Sequence, residues 1–240
     1  MPKLSLGTWA FTFGPFARQP WPLEKVLKYT AEAGYDGVEL NGFRPHPHQD
    51  DYNTPAKRKD LMALIGDFGL GVSGYAPDFT QVPPAVVEPE AYLKIFRKCL
   101  AFCSGCGIKT LRVDTVSPPF ALLAVEYEAR FHRLASTWRA VGEEASREGI
   151  LVVWEFEPGF WLNKPSEVKR LAEEVVDRHF KLLFDTSHAF MGSVIGARHT
   201  GELLPSLPWC CVDYCFCADV EREARRGPEF LRGIMGGGAG

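Results

Sequence analysis

Gly149-Ile150-Leu151-Val152-Val153-Trp154-Glu155 is the stretch on which the fold turns. Five apolar residues run without polar alternation, which predicts a strand covered on both faces, as in a parallel sheet packed between layers of helix. Gly149 stops a long helical pattern over 121–148, and a second helix, opened by Lys164-Pro165-Ser166-Glu167, runs to 176 before the next apolar run at 181–184. The same grammar holds upstream. A helix over 88–103 ends near Gly105 and Gly107 before a strand at 108–113. Thr54-Pro55 opens a helix to about residue 68, with proline at its first position and Gly69 as its stop, before a strand at 70–75. Leu23, Val26, Leu27 and Ala31 recur at three- and four-residue steps over 22–33, Gly34 closes that helix, and a strand follows at 36–40. The first apolar run spans 4–11.

Six strand-then-helix units with short glycine stops predict an α/β chain built from parallel βαβ units. The sheet closes either as an open doubly wound sheet or as a (β/α)8 barrel. An open nucleotide-binding sheet carries a glycine-rich phosphate turn after its first strand, and Thr12-Phe13-Gly14-Pro15-Phe16 has no such pattern. A TIM (β/α)8-type barrel is therefore expected. Six units consume about the first 190 residues of 240, whereas a complete barrel needs about 250. The expectation is an incomplete barrel of about six βα units over 1–208, followed by an atypical, partly disordered tail over 209–240, with the chain cut short or altered in reading frame near Trp209. That tail holds Cys210, Cys211, Cys215 and Cys217, a charge run over 221–226 and a glycine-rich end.

Net charge is −3, from 27 basic and 30 acidic residues. That balance gives no reason to expect nucleic acid or an anionic membrane as partner. Apolar runs of about ten residues fall short of the roughly 20 that span a bilayer. The start, Met1-Pro2-Lys3-Leu4-Ser5, does not read as a secretory signal, and a cytoplasmic location is the expectation. The seven cysteines are odd in number and clustered. Their spacings match no standard zinc site, so free thiols are expected.

In a barrel, chemistry sits at the carboxyl ends of strands. Those ends read Trp9, Glu39 with Asn41, Tyr75 with Asp78, Arg112 with Asp114, Glu155 with Glu157, and Asp185 with His188. Glu155 ends an apolar strand, and an unpaired buried carboxylate costs several kcal/mol; a divalent ion would serve as its partner, and so would a neighbouring Arg or Lys. Alternation places Glu155 and Glu157 on one face and does not choose between them. Asp185 interrupts the next apolar run, with His188 three residues on. Carboxylate plus imidazole suits Mn, Co, Zn or Fe, although Asp185 can equally cap its own loop. Glu39 reads either as a substrate-facing carboxylate or as an ion-pair member. Trp9 offers an apolar wall to a sugar or simple packing. His46 and His48 form a weak metal signal in a proline-rich loop that reads better as solvated.

The chain resembles the sugar phosphate isomerase/epimerase superfamily, the xylose isomerase-like barrels that include ketose 3-epimerases and endonuclease IV. The resemblance covers about residues 4–200. Its carriers are Gly34-Tyr35-Asp36-Gly37-Val38-Glu39-Leu40, Trp154-Glu155-Phe156-Glu157-Pro158-Gly159-Phe160, Asn163-Lys164-Pro165-Ser166-Glu167 and Leu183-Phe184-Asp185-Thr186-Ser187-His188. It implies Glu155 as metal ligand and proton-transferring base, Asp185 as metal ligand, and His188 on the substrate's oxygens, with Glu39, Trp9 and Glu157 as further substrate-binding candidates. It implies a divalent cofactor (Mn, Mg, Co or Zn), a small sugar or sugar phosphate as partner, and isomerisation or epimerisation through an enediolate. Such barrels take two more ligands from strands 7 and 8, a histidine and a glutamate. No histidine follows His199, and Glu221, Glu223 and Glu229 do not lie at a strand end. The expectation therefore carries two alternatives: a non-catalytic family member that has not retained the metal, and a metal phosphoesterase of the endonuclease IV kind. A homo-oligomer is a further expectation, since an incomplete sheet leaves edges to cover.

Overall fold

The computed structural model describes residues 2–119, 122–185, 188, 209–213 and 219–236. They fall into two compact units, Met1–Ala76 with Thr200–Gly240, and Pro77–His199.

The first unit holds β1 (Lys3–Gly7), α1 (Leu23–Glu32), β2 (Gly37–Asn41), α2 (Pro55–Asp67), β3 (Gly71–Ala76), β7 (Trp209–Val212) and a last helix, α6 (Val220–Gly236). All its strands run parallel. β2 pairs with β3 and with β1 (Leu6 beside Val38, Gly7 beside Glu39), and the other edge of β1 pairs with β7 (Leu4 beside Cys210, Leu6 beside Val212). A last strand returning to pair with the first is the closure rule of a barrel, not of a doubly wound sheet. Leu4, Leu6, Phe11, Val26, Tyr29 and Tyr35 form the core, with Trp21 stacked on Phe11 at 4.6 Å between ring centroids.

Within 209–240, expected as an atypical, partly disordered tail, the described residues contribute a strand and a helix; 214–218 and 237–240 lie outside the described residues. The charge run over 221–226 belongs to an amphipathic helix. Val220 and Ala224, one turn apart, are buried in the core, while Glu221, Arg222, Arg225 and Arg226 face solvent. Tyr29 donates its hydroxyl hydrogen to the Glu221 carbonyl, and Arg232 Nη2 donates to the Gly34 carbonyl at 2.9 Å.

The second unit holds α3 (Pro89–Cys106), β4 (Thr110–Val113), α4 (Ala124–Arg147), β5 (Leu151–Glu155), α5 (Pro165–Val175) and β6 (Phe180–Leu183). β5 pairs in parallel with β4 on one side and β6 on the other. Its alternate residues divide the labour. Val152 and Trp154 are buried toward the helices, where Trp138 of α4 meets Trp154 at 5.4 Å and Phe180 at 5.5 Å between ring centroids. Val153 and Glu155 take the opposite face. Helix ends follow the glycine stops: Gly107 and Gly149 both have positive φ, at 71° and 63°.

Runs of parallel βα units, with seven strands among the described residues, make this an incomplete (β/α)8-type barrel. No helix among the described residues is long and apolar enough to cross a membrane.

One element departs from its sequence pattern. The apolar run over 4–11 is a strand only to Gly7, and Thr8–Phe11 is a 3-10 turn. The turn folds the Trp9 indole back over Gly7, so a β-carbon there would lie 2.2 Å from Trp9 Cζ2. Gly7→Ala is expected to displace the indole and to cost about 1–3 kcal/mol through overpacking. Thermal unfolding, with tryptophan fluorescence reporting the displaced ring, measures both effects.

Candidate functional site

The second unit builds a polar cluster at the carboxyl ends of its strands. Lateral partners in a parallel sheet share a face, and so do residues two apart on one strand. Arg112 lies beside Val153, and Glu155 lies beside Leu183. Arg112, Val153, Glu155 and Leu183 are thereby on one face, opposite the tryptophan layer. Across it, Arg112 Nη1 and Glu155 Oε2 form an ion pair at 2.5 Å, with the two side chains only 14% and 5% exposed. Of the two partners open to Glu155 on sequence grounds, an ion or a basic side chain, the arginine is one that the fold supplies.

Glu155, Asp185 and His188 each present one ligand atom within 4.8 Å of the others. The Asp185 carboxylate accepts the His188 backbone N–H at 2.7 Å, which ties the histidine to the strand end. His188 Nδ1 lies 3.0 Å from the Phe156 carbonyl oxygen. A carbonyl only accepts, so in the neutral ring Nδ1 carries the hydrogen and Nε2 keeps its lone pair. Orienting an imidazole through a backbone carbonyl is how metal-ligating histidines are commonly held. Ligand atoms sharing one ion at about 2.1 Å each lie no more than about 4.2 Å apart. The spacing is therefore a small side-chain adjustment from a shared cation.

Glu157, which alternation did not separate from Glu155, lies beyond the strand in a turn where its carbonyl accepts from Phe160 N at 2.9 Å. Glu155 is buried and Glu157 partly exposed. Asp114, a strand-end residue to which the sequence assigns no specific role, follows β4. Its carboxyl is pushed up to about 6, chiefly by burial and also by the neighbouring charge of Asp78; Arg112 and the Val116 N–H, donating at 2.9 Å, hold it down only in part.

Trp9 and Glu39 belong to the first unit. Trp9 is 5% exposed and covers Gly7, and Glu39 is 6% exposed, flanked by Gly7 on β1 and Gly74 on β3. The proline-rich loop behaves differently from its sequence reading: His46 is buried, not solvated. Its Nε2 meets the Trp21 carbonyl at 3.0 Å and its Nδ1 the Thr12 hydroxyl at 3.2 Å, and burial lowers its pKa. With both nitrogens engaged, His46 pins the loop to the core. Cys99, Cys103 and Cys106 are buried along one face of α3, and burial pushes the Cys103 thiol well above its ordinary range, so Cys103 packs as a neutral thiol.

The family model described as the xylose isomerase-like TIM barrel matches residues 27–209, well over half of the chain. Among solved structures, D-psicose 3-epimerase from Clostridium cellulolyticum H10 gives a TM-score of 0.71 at 13% identity, covering 97% of this chain and 99% of that one. An AP endonuclease of family 2 from Brucella melitensis gives 0.63 at 15% identity, over 85% and 74% of the two chains. At such identities the likeness is one of fold. Among curated proteins, the ribosomal protein uS12 methylthiotransferase of Bordetella pertussis is 26% identical over 185 residues, 72% of this chain but 41% of that protein. The chain spans less than half the length of that relative.

The raised Asp114 carboxyl has a measurable consequence. A carboxyl whose pKa is raised from 3.8 to about 6 on folding binds its proton more tightly in the native state, so its contribution falls as pH rises from about 4 to about 6. Asp114→Asn keeps an oxygen for the Val116 N–H and removes the titration. Its melting temperature is expected to exceed that of the parent above pH 6 and to converge with it near pH 4, as calorimetry across that range would register.

Proposed function

This chain belongs to the xylose isomerase-like TIM-barrel family, and from that premise we propose that it transfers a proton between carbon atoms of a small sugar or sugar phosphate, with a divalent cation as cofactor. The observation that carries this reading is the approach of one ligand atom each from Glu155, Asp185 and His188 to within 4.8 Å of one another in the second unit.

The donor set fits such an ion. Two carboxylates and a neutral imidazole suit Mn, Mg, Co or Zn, and the Phe156 carbonyl leaves His188 Nε2 as the donor. A bound divalent ion would polarise a sugar carbonyl and so acidify the neighbouring C–H. Asp185 and His188 would hold it and orient the substrate's oxygens. Glu155 would take the carbon-bound proton at a carboxylate oxygen and return it to the other face or the neighbouring carbon, as a general base turned general acid. The buried setting of Glu155 excludes water that would otherwise compete for that proton. The small-ketose substrate class is supported by the fold-level likeness to D-psicose 3-epimerase over nearly the whole of both chains.

Incubation of the Mn²⁺-supplemented protein with D-psicose, D-fructose and D-tagatose in D₂O tests this directly. Deuterium incorporation beside the carbonyl, followed by NMR, is the expected outcome, with Glu155→Gln and Asp185→Asn slowed by roughly 10²–10⁴-fold. Binding of Mn²⁺ without exchange into any sugar would remove the sugar reading, and cleavage of abasic-site DNA in its place would favour the phosphoesterase alternative. Absence of any divalent-ion binding would leave the non-catalytic alternative.

A further inference from the structure

The ion pair at the centre of this site does not follow from the proposed activity. A carboxylate offered to a divalent cation is already held by a fixed cation of the chain itself. We propose that Arg112 is a resident counter-ion of Glu155 that competes with the divalent cation for the Glu155 carboxylate, so that metal binding requires the guanidinium to withdraw. The inference rests on the metal site proposed above and concerns how tightly and in what order that site fills.

Three observations support it. The pairing is built into the sheet: Arg112 is the β4 residue beside Val153, and Glu155 is the next β5 residue on that face, so the contact spans a fixed lateral register instead of a mobile loop. It is screened from water, since the side chains are 14% and 5% exposed, and charges there interact far more strongly than on a surface. It also engages the one candidate ligand that lies inside a strand, whereas Asp185 and His188 follow the end of β6.

Physical balance makes the competition unavoidable. A guanidinium paired with Glu155 Oε2 at 2.5 Å and a doubly charged ion on the same carboxylate repel each other across a few ångströms, in a region where the effective dielectric is well below that of water. The guanidinium has an alternative neighbour. Asp114 lies two residues along the chain, and its carboxyl already feels the charge of Arg112. Withdrawal from Glu155 therefore leaves Arg112 beside another carboxylate.

Mn²⁺ binding to the full chain, measured by electron paramagnetic resonance and by calorimetry, tests the idea without reference to turnover. Relative to the parent, Arg112→Gln and Arg112→Met are expected to bind Mn²⁺ at least about tenfold more tightly, because a repelling charge has gone, whereas Arg112→Lys stays within a few-fold of the parent. In EDTA the two neutral variants should melt below the parent, with Glu155 left uncompensated, and saturating Mn²⁺ should raise their melting temperatures more than it raises that of the parent. Tight binding by the neutral variants where the parent binds weakly or not at all supports the proposal in its strongest form. If the parent binds Mn²⁺ and the folded neutral variants bind it equally or more weakly, Arg112 is a structural partner only and the proposal falls while the metal site stands. If neither the parent nor any folded Arg112 variant binds Mn²⁺, the metal-site reading falls, and the competition falls with it.

Discussion

A carboxylate with 5% of its side chain exposed cannot stay ionised without a positive partner, and Glu155 is such a carboxylate. Much of the second unit's polar architecture answers that single requirement. The strand that delivers Glu155 is apolar because its other face meets Trp138, and the same closeness of packing keeps water from solvating the charge. Arg112 meets the requirement from one neighbouring strand, and the donor cluster with Asp185 and His188 offers another answer from the opposite side. A buried ion pair is weak evidence for stability, because desolvating two charges offsets most of their attraction. Its retention at the mouth of a barrel speaks for the site more than for the fold.

The distribution of charge around the mouth sharpens this point. Asp78, Asp114, Glu155 and Asp185 all follow or end strands of the second unit or lie in its connections, and Arg112 is the basic residue described among them. Its attraction to Asp114 does not offset the burial of that carboxyl, which stays near 6. The arginine's short contact is with Glu155, so the two carboxylates respond differently to the same guanidinium. One is in a close ion pair with it, and the other is pushed up to about 6 by burial.

The order of strands and helices was legible from the sequence because its signals are local. Glycine stops and three-and-four periodicity place helices over 22–33 and 54–68, and the structure has them at Leu23–Glu32 and Pro55–Asp67. What was not legible depends on contacts between distant residues. The run over 4–11 looks uniformly apolar, and only the return of the Trp9 indole onto Gly7 explains why the strand stops there. The charged stretch over 221–226 hides an amphipathic helix whose buried residues, Val220 and Ala224, are small beside the charges around them. His46 looked solvated because its partners, the Thr12 hydroxyl and the Trp21 carbonyl, lie more than twenty residues away.

The Arg112–Glu155 pair belongs to the same class of hidden contact, and it changes how the site residues rank. Sequence alone placed Glu155 and Glu157 on one face and could not separate them, since alternation carries no information about where a strand ends. The structure ends β5 at Glu155 and turns the chain beyond it, so that the Phe156 carbonyl is left to orient His188 while Glu157 moves into the turn. Residue 156 thus meets the imidazole through its backbone carbonyl. A backbone atom of that kind leaves no trace in residue identity. The geometry of the candidate centre therefore depends on where the fifth strand stops as much as on which residues it carries.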